Sequence, residues 1–319
     1  DEARTLARTF RTPADVRTAL DAVGRMWHGL LSTVAVNTPD DSMNLMENTW
    51  LKYQAISGRI WGRTAYYQTG GAYGFRDQLQ DSQLWLTIDP SRTRDQLRLH
   101  ARHQFADGSV YHWWHPMSEI GLRNQISDNL LWLPYVMTGY LNETGDTGIL
   151  DCTEPFVDEP SPASMYDHCV FAIEKSLTRF SDRGLPLIGG GDWNDGLSAV
   201  GLDNKGESIW LGHFLHRILL DFSGVAAARG DHDRSGHFRA RAGELREKLN
   251  TLGWDGEYYY GATKDSGERL GSRKNTEGRV WLNPQTWAII GDVADDERAE
   301  QVFDVVEREL EKEIGRAHV

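Results

Sequence analysis

Cysteine is nearly missing from this chain: Cys152 and Cys169 are the two thiols in 319 residues. That excludes a scaffold built on disulfides and leaves two free thiols as the expectation. Long hydrophobic runs are missing as well. No stretch of 18 apolar residues occurs, so no helix is expected to cross a membrane. Positive charge is in the minority, with 34 Lys and Arg against 47 Asp and Glu and a net charge of −13. An acidic surface of this kind argues against a nucleic-acid backbone as partner. The opening DEARTLARTFRTPADV starts with acids and has no apolar core, so it does not read as a signal peptide. It reads, like the closing EREL EKEIGRAHV, as the interior of a longer chain. Nor is there a P-loop, a nucleophile elbow or a dinucleotide fingerprint, because GGGDWNDG does not follow a strand in the G-x-G-x-x-G pattern. Nucleotide and hydride chemistry are thereby disfavoured.

What is present is a globular composition, 39% hydrophobic and 25% charged, with 12 Trp, 11 Tyr and 10 Phe. Large rings serve as core, and they also stack on the apolar faces of sugars. Helical periodicity dominates. Thr12 is a cap candidate with Pro13 at the first helical position, and Val16, Leu20, Val23, Met26, Trp27 and Leu30 follow at helical spacing over 12–31. Further helices are predicted over 43–68, 91–105, 127–144, 162–180, 207–229, 238–252 and 296–312. Short strands are expected near 110–114, 258–260 and 279–282. GYLNETGD (139–146) and GVAAARGD (224–231) each close a helix with glycine and aspartate, a repeated ending that suits a left-handed C-terminal cap. Repeated helix pairs with long glycine-rich loops between them suggest a helical toroid rather than a simple bundle.

Four stretches carry candidate chemistry. GGAYGFRDQLQDS (70–82) sets Arg76, Asp77, Gln78, Gln80 and Asp81 after a glycine pair. Arginine suits a carboxylate or phosphate, whereas carboxylates and amides match sugar hydroxyls; a capped, solvated helix start is the alternative. HWWHP (112–116) holds two histidines at i, i+3, but its proline and the lack of a partner Cys/His pair argue against metal. LPLIGGGDWNDGLSAVG (185–201) brackets Trp193 and Asn194 with Asp192 and Asp195 on a glycine platform. It reads as a turn or as a sugar site with a catalytic acid. A calcium loop is rejected because Gly196 stands where the fifth position needs an oxygen ligand. In GRVWLNPQTWAIIG (278–291), Asn283 and Gln285 interrupt an apolar stretch, either as contacts or as a loop entering a buried helix.

Taken in order, YGFRDQLQD, HWWHP, SDNLLWLPY, LPLIGGGDWNDGLSAVG, KGESIWLG and LNPQTWAII resemble glycoside hydrolase family 94. That family holds cellobiose, chitobiose and β-1,2-oligoglucan phosphorylases and the C-terminal domain of cyclic β-1,2-glucan synthases. The HWWHP and SDNLLWLPY motifs look most like the oligoglucan and synthase branch. The resemblance implies an all-α fold, an (α/α)6 barrel, here truncated at its C-terminal end and without the family's N-terminal β-sandwich. Residues 1–35 would be a helical linker and barrel entry, and 36–319 an incomplete catalytic barrel.

By the same resemblance Asp195 is the general acid and Arg76 binds phosphate and sugar. Asp77, Asp81, Trp193, Asn194 and Gln285 contact the sugar, and Arg63, in preference to Arg59, approaches phosphate. An inverting hydrolase needs a second carboxylate to deprotonate water, but phosphate is already an anionic nucleophile, so a phosphorylase needs only the acid. Burial of Asp195 against Trp193, with Asp192 charged nearby, is expected to keep it protonated. The implied reaction cleaves β-linked glucosides with inorganic phosphate as co-substrate, giving α-glucose 1-phosphate, with no cofactor and no metal. The alternative role is a chain-length-controlling domain of a membrane-bound cyclic β-1,2-glucan synthase. The implied partners are oligosaccharide and phosphate, with a homodimer as the family's frequent state. The implied location is cytoplasmic, or at the inner membrane for a synthase. Later family phosphate contacts, a histidine and a Thr-Gly loop, have no counterpart here, which leaves the activity of this chain by itself open.

Overall fold

The computed structural model describes residues 2–62, 70–312 and 315–316. Helix α1 (Glu2–Thr9) precedes α2 (Pro13–Leu31), whose start follows from its sequence. The Thr12 hydroxyl accepts from Asp15 N and the Asp15 carboxylate accepts from Thr12 N, a reciprocal capping box. Of the stretch expected to be helical over 43–68, residues 63–68 lie outside the described ones, and the part before them is a helix in four parts. α3 (Asp41–Leu45) and α4 (Leu51–Gln54) are continued by widened π turns at Met46–Trp50 and Ala55–Trp61. Trp27 on α2 packs against Tyr53 and Trp61, with ring centroids 4.9 and 5.4 Å apart. The rest of the predicted α2 stripe, Val16, Leu20, Val23 and Met26, is exposed.

From residue 70 onward the helices form two layers. α5 (Phe75–Ser82), α7 (Trp132–Thr144), α9 (Ile209–Ala228) and α11 (Leu282–Ile290) pack successively side by side. α6 (Pro90–Ala101), α8 (Met165–Leu177), α10 (His232–Lys248) and α12 (Asp296–Leu310) each back their neighbour in the first layer. The chain is therefore mostly helical, as expected, but no closed barrel forms among the described residues. Gly145 and Gly230, at φ 66° and 80°, provide the left-handed turns that end α7 and α9. No helix among the described residues is long and apolar enough to cross a membrane. Cys152 and Cys169 are free thiols.

Strand content is small. β1 (Tyr73–Gly74), β2 (Trp113–His115) and β3 (Ile120–Leu122) make one antiparallel sheet, with Gly74 opposite Trp113. Two-residue ladders join β4 (Thr153–Glu154) to β5 (Ala163–Ser164), β6 (Ala262–Thr263) to β7 (Arg269–Leu270), and β8 (Glu311–Lys312) to β9 (Gly315–Arg316). The strand expected at 258–260 is reduced to one bridge between Trp254 and Tyr259. That expected at 279–282 is irregular chain whose last residue opens α11.

The core between the layers is aromatic. Trp210 is fully buried, stacked on Phe214 at 5.3 Å and set edge-on to Trp287 at 5.8 Å. Trp132 packs against Phe214 at 4.9 Å. Truncation of a buried tryptophan removes a large transfer term and leaves a cavity. Trp210→Ala is expected to lose about 3–5 kcal/mol of stability, to be read as a fall in the denaturation midpoint at unchanged slope.

Candidate active site

The N-terminal ends of α5, α7, α9 and α11 meet on one side of the first layer, and the LPLIGGGDWNDG loop lies among them. Arg76, in the first turn of α5, ties them together. Its Nη1 donates to the Asp192 carbonyl at 3.0 Å and reaches the Asp128 carboxylate at 3.3 and 3.4 Å, while Nη2 lies 3.4 Å from Asp195 Oδ1. Its side chain is 11% exposed. Burial works against the charge, but Asp128, Asp77 and Asp195 outweigh it and hold the guanidinium above its ordinary pKa. Asp128 is itself anchored by Trp132 Nε1, which donates at 2.9 Å.

The glycine platform exists because backbone passes close by. A Cβ on Gly189 (φ 58°) would lie 2.6 Å from the Gln125 carbonyl and 2.4 Å from the Arg179 guanidinium. The platform sends its two carboxylates in opposite directions. Asp192 turns inward and is 3% exposed. Its Oδ2 accepts from Ser208 Oγ at 2.6 Å, and its Oδ1 accepts from Asn194 N and Nδ2 at 2.8 and 3.0 Å. Ser208 in turn accepts from Leu211 N and caps α9. Burial pushes the Asp192 pKa up to about 6 against the pull of the Ser208 bond, and the nearby Asp128 charge adds to the rise.

Asp195 turns outward, with its side chain 91% exposed. The burial expected for Asp195 is thus found at Asp192, and the reason is local. Asp192 fills the gap under α9, whereas Asp195 stands at the rim. Asp195 is the more accessible of the two, since both oxygens of Asp192 already accept hydrogen bonds.

Trp193 lies between the two. One face stacks on Trp210 at 5.3 Å and 18°, and its Nε1 donates to Gln80 Oε1 at 3.1 Å. Asn194 Oδ1 accepts from Asn283 Nδ2 at 2.8 Å, which links the loop to α11. Trp193, Asn194, Asp195, Trp281 and Asn283 are among the walls of a cavity of about 520 Å3, within the range of about 300–1,000 Å3 usual for small-ligand sites. A second hollow of about 160 Å3 adjoins it, with Arg76, His112, Ile126, Asp192 and Asp195 among its walls. Asn129 Nδ2 lies 3.0 Å from His112 Nδ1, so a neutral His112 carries its proton on Nε2. Burial and then Arg76 lower its pKa.

Other sequence-derived residues fall differently. Asp77 and Asp81 face Arg59, whose Nη2 lies 3.8 and 3.1 Å from their carboxylates, and neither lines the two hollows. Burial raises the Asp81 pKa and the Arg59 charge opposes it. Gln285, expected to touch sugar, is fully buried. Its amide accepts from Tyr259 N and donates to the carbonyls of Tyr259 and Trp281, so it braces the backbone instead. Arg63 lies outside the described residues. The sequence reading missed Asp128 and Ser208 as supports of the site. The signal for both was a small polar residue at the edge of an apolar run, which reads equally as a helix cap.

A layered helical scaffold thus carries a tryptophan-walled cavity with one accessible acid, and an arginine beside that acid. The chain belongs to the glycosyl hydrolase 94 superfamily, whose catalytic-domain family model matches residues 26–318. It is 38% identical over 318 residues to the cyclic beta-(1,2)-glucan synthase NdvB of Rhizobium meliloti (strain 1021), covering 93% of this chain and 11% of the synthase. It is 30% identical over 320 residues to the solabiose phosphorylase of Paenibacillus borealis, covering 99% of this chain and 40% of that enzyme. With the N,N'-diacetylchitobiose phosphorylase of Vibrio proteolyticus the identity is 28%, over 97% of this chain and 42% of the relative. The chain therefore spans well under half the length of these relatives. Among solved structures, a sugar epimerase from a ruminal bacterium shares the fold at a TM-score of 0.58 and 11% identity, over 90% of this chain and 74% of its own. The GH78 rhamnosidase of Bacillus sp. GL1 does so at 0.58 and 18%, over 75% and 23%.

Because the folded-state pKa of Asp192 lies above that of an unfolded aspartate, the folded protein binds this proton more tightly. The resulting stabilisation is complete below about pH 4 and is lost as pH rises through about 6. Asp192→Asn, which keeps a partner for Ser208 and Asn194 without the buried charge, is expected to be more stable than the unsubstituted protein at pH 8, by at most about 3 kcal/mol. The gap should shrink towards pH 4, a pattern that thermal melts across this range would read directly.

Proposed function

We propose that the chain is the catalytic part of an inverting glycoside phosphorylase acting on β-linked glucosides, its helices forming part of an (α/α)6 toroid. The carrying observation is the pairing of one accessible acid, Asp195, with the Arg76 guanidinium at 3.4 Å, beside a cavity floored by Trp193. In the proposed reaction a glucosyl unit lies against Trp193. Asp195 gives its proton to the glycosidic oxygen as the bond from that oxygen to the anomeric carbon breaks. A phosphate oxygen, held by Arg76, forms the new bond from the opposite face. The products are α-glucose 1-phosphate and a sugar with a free hydroxyl, and no further cofactor is invoked.

The state of the other carboxylates supports phosphate over water as nucleophile. A hydrolase needs a second free carboxylate to activate water. Asp128 is fully buried and paired with Arg76, and both oxygens of Asp192 accept hydrogen bonds. Both carboxylates are thus engaged in holding the scaffold, in contrast to Asp195. The exposure of Asp195 gives the substrate a task of its own, because a sugar lying over the rim displaces water from the carboxyl and shields the proton it donates.

The identity of 38% to a cyclic beta-(1,2)-glucan synthase, against 30% to a phosphorylase, favours one second reading. In it the same site trims or controls the length of a β-1,2-glucan as a domain of a membrane-bound synthase. A free phosphorylase would work in the cytoplasm, a synthase domain at the inner membrane.

The test is phosphorolysis by the full-length protein of β-1,2-, β-1,3- and β-1,4-linked glucose disaccharides, in phosphate and in plain buffer. Release of α-glucose 1-phosphate only with phosphate is expected, and equal sugar release in plain buffer would point to a hydrolase. Asp195→Asn is expected to cut turnover by about 10²–10⁴-fold or more while disaccharide binding persists. A variant with full activity would remove Asp195 from the reaction.

A further inference from the structure

The cavity beside Asp195 has a second tryptophan in its wall, Trp281, to which neither the motifs nor the reaction above assigns a role. It is the residue before α11, in extended conformation, and its carbonyl accepts from the fully buried Gln285 amide at 3.0 Å. Its ring lies on two glycines at the base of the β6–β7 hairpin. A Cβ on Gly261 would sit 2.2 Å from ring atom Cε3 and 2.5 Å from Cζ3, and one on Gly271 (φ 65°) would sit 2.9 Å from Cδ2. Any side chain at those positions would displace the indole. The glycines are themselves fixed, since Gly261 N donates to Leu270 O at 2.8 Å and its carbonyl accepts from Ile209 N at 3.1 Å.

Trp281 thus has the same construction as Trp193. Each ring has one side packed on fixed structure, Trp210 for Trp193 and glycine backbone for Trp281, and each lines the same cavity. A ring immobilised before the ligand arrives loses little entropy on contact. Its apolar face complements the C–H face of a pyranose, while Asn283, held by its hydrogen bond to Asn194, lines the same cavity as a polar neighbour for hydroxyls. A ring meant only for the core would be closed off on both sides. Trp281 is half-buried and borders the open cavity.

We propose that Trp281 is the stacking platform for a second sugar unit, the one across the scissile bond from the unit on Trp193, and so a determinant of which glucosides bind. The proposal rests on the glycoside reading above, and the experiment separates the two. Calorimetry on the full-length protein would measure the affinity of glucose and of the β-1,2-, β-1,3- and β-1,4-linked glucose disaccharides. Trp281→Ala is expected to weaken the best-bound disaccharide by roughly tenfold or more and to change glucose affinity by less than about threefold. Trp281→Phe should recover part of the loss. Gly261→Ala, which keeps the tryptophan and shifts its ring, should repeat the pattern of Trp281→Ala. Circular dichroism would confirm folding, and if Trp281→Ala does not fold, Trp281→Phe and Gly261→Ala carry the decision. Unchanged disaccharide affinity in the folded variants, with binding intact in the unsubstituted protein, overturns the role of Trp281 alone. No disaccharide binding by the unsubstituted protein overturns this proposal and the glycoside reading together.

Discussion

The Arg76 guanidinium is the constraint around which the site is organised. It is a nearly buried cation, and such a group persists only where every donor has a partner and the charge is answered. The partners come from two separate places in the chain: the Asp128 carboxylate before α7, and the Asp192 carbonyl and Asp195 carboxylate of one loop before α9. The register of α5 against α7, and of both against the loop before α9, is therefore set by one side chain. Trp132 fixes Asp128, and Ser208 and Asn194 fix Asp192, so the support extends a further step into each element. Loss of the guanidinium would leave Asp128 buried without its cation, a more costly state than a vacant surface ion pair.

The two acids of the DWND motif show how environment divides identical side chains into different roles. Asp192 is dry, fully bonded and pushed up to about 6. Asp195 keeps its oxygens for whatever enters the cavity. A raised pKa in a cleft is often taken as the mark of a catalytic group, and here that mark falls on the buried carboxylate whose oxygens already accept hydrogen bonds. Accessibility separates the structural acid from the accessible one.

Part of this was legible in the sequence. Helix α2 announced itself through Thr12, Pro13 and the apolar spacing after them, and the long helices α7, α8, α9 and α12 through apolar spacing, because those signals are local. α5 and α11 were read only as alternatives to ligand contacts, because with 8 and 9 residues they are too short for periodicity to rise above a mixed polar pattern. α10 begins at His232 rather than near 238 because its start rests on the Asp231 cap, not on apolar spacing. At the site, the motifs pointed correctly to Arg76, Trp193 and Asp195 as neighbours, yet could not say which aspartate faced inward. That depends on Ser208, 16 residues further on. Gln285 was misread for a related reason. A buried amide in an apolar run can serve backbone or ligand equally well, and its partners Tyr259 and Trp281 lie on either side of a long loop. Trp281 escaped notice because its cradle is two glycines whose proximity to it is purely tertiary.

The electrostatics of the site carry a last consequence for the proposed reaction. The chain has a net charge of −13, and around Arg76 and Arg59 the described carboxylates outnumber the cations: Asp77, Asp81, Asp128 and Asp195 against the two arginines. A phosphate dianion meets an unfavourable field in such a place unless some negative charge is withdrawn. Protonation of Asp195 withdraws it at the decisive point, 3.4 Å from Arg76 Nη2. The proton that the leaving oxygen requires is then the same proton that frees one edge of the guanidinium for the nucleophile. On this account acid and nucleophile are not independent requirements. The protonated carboxyl that completes bond cleavage also makes room, electrostatically, for the phosphate that replaces the departing sugar.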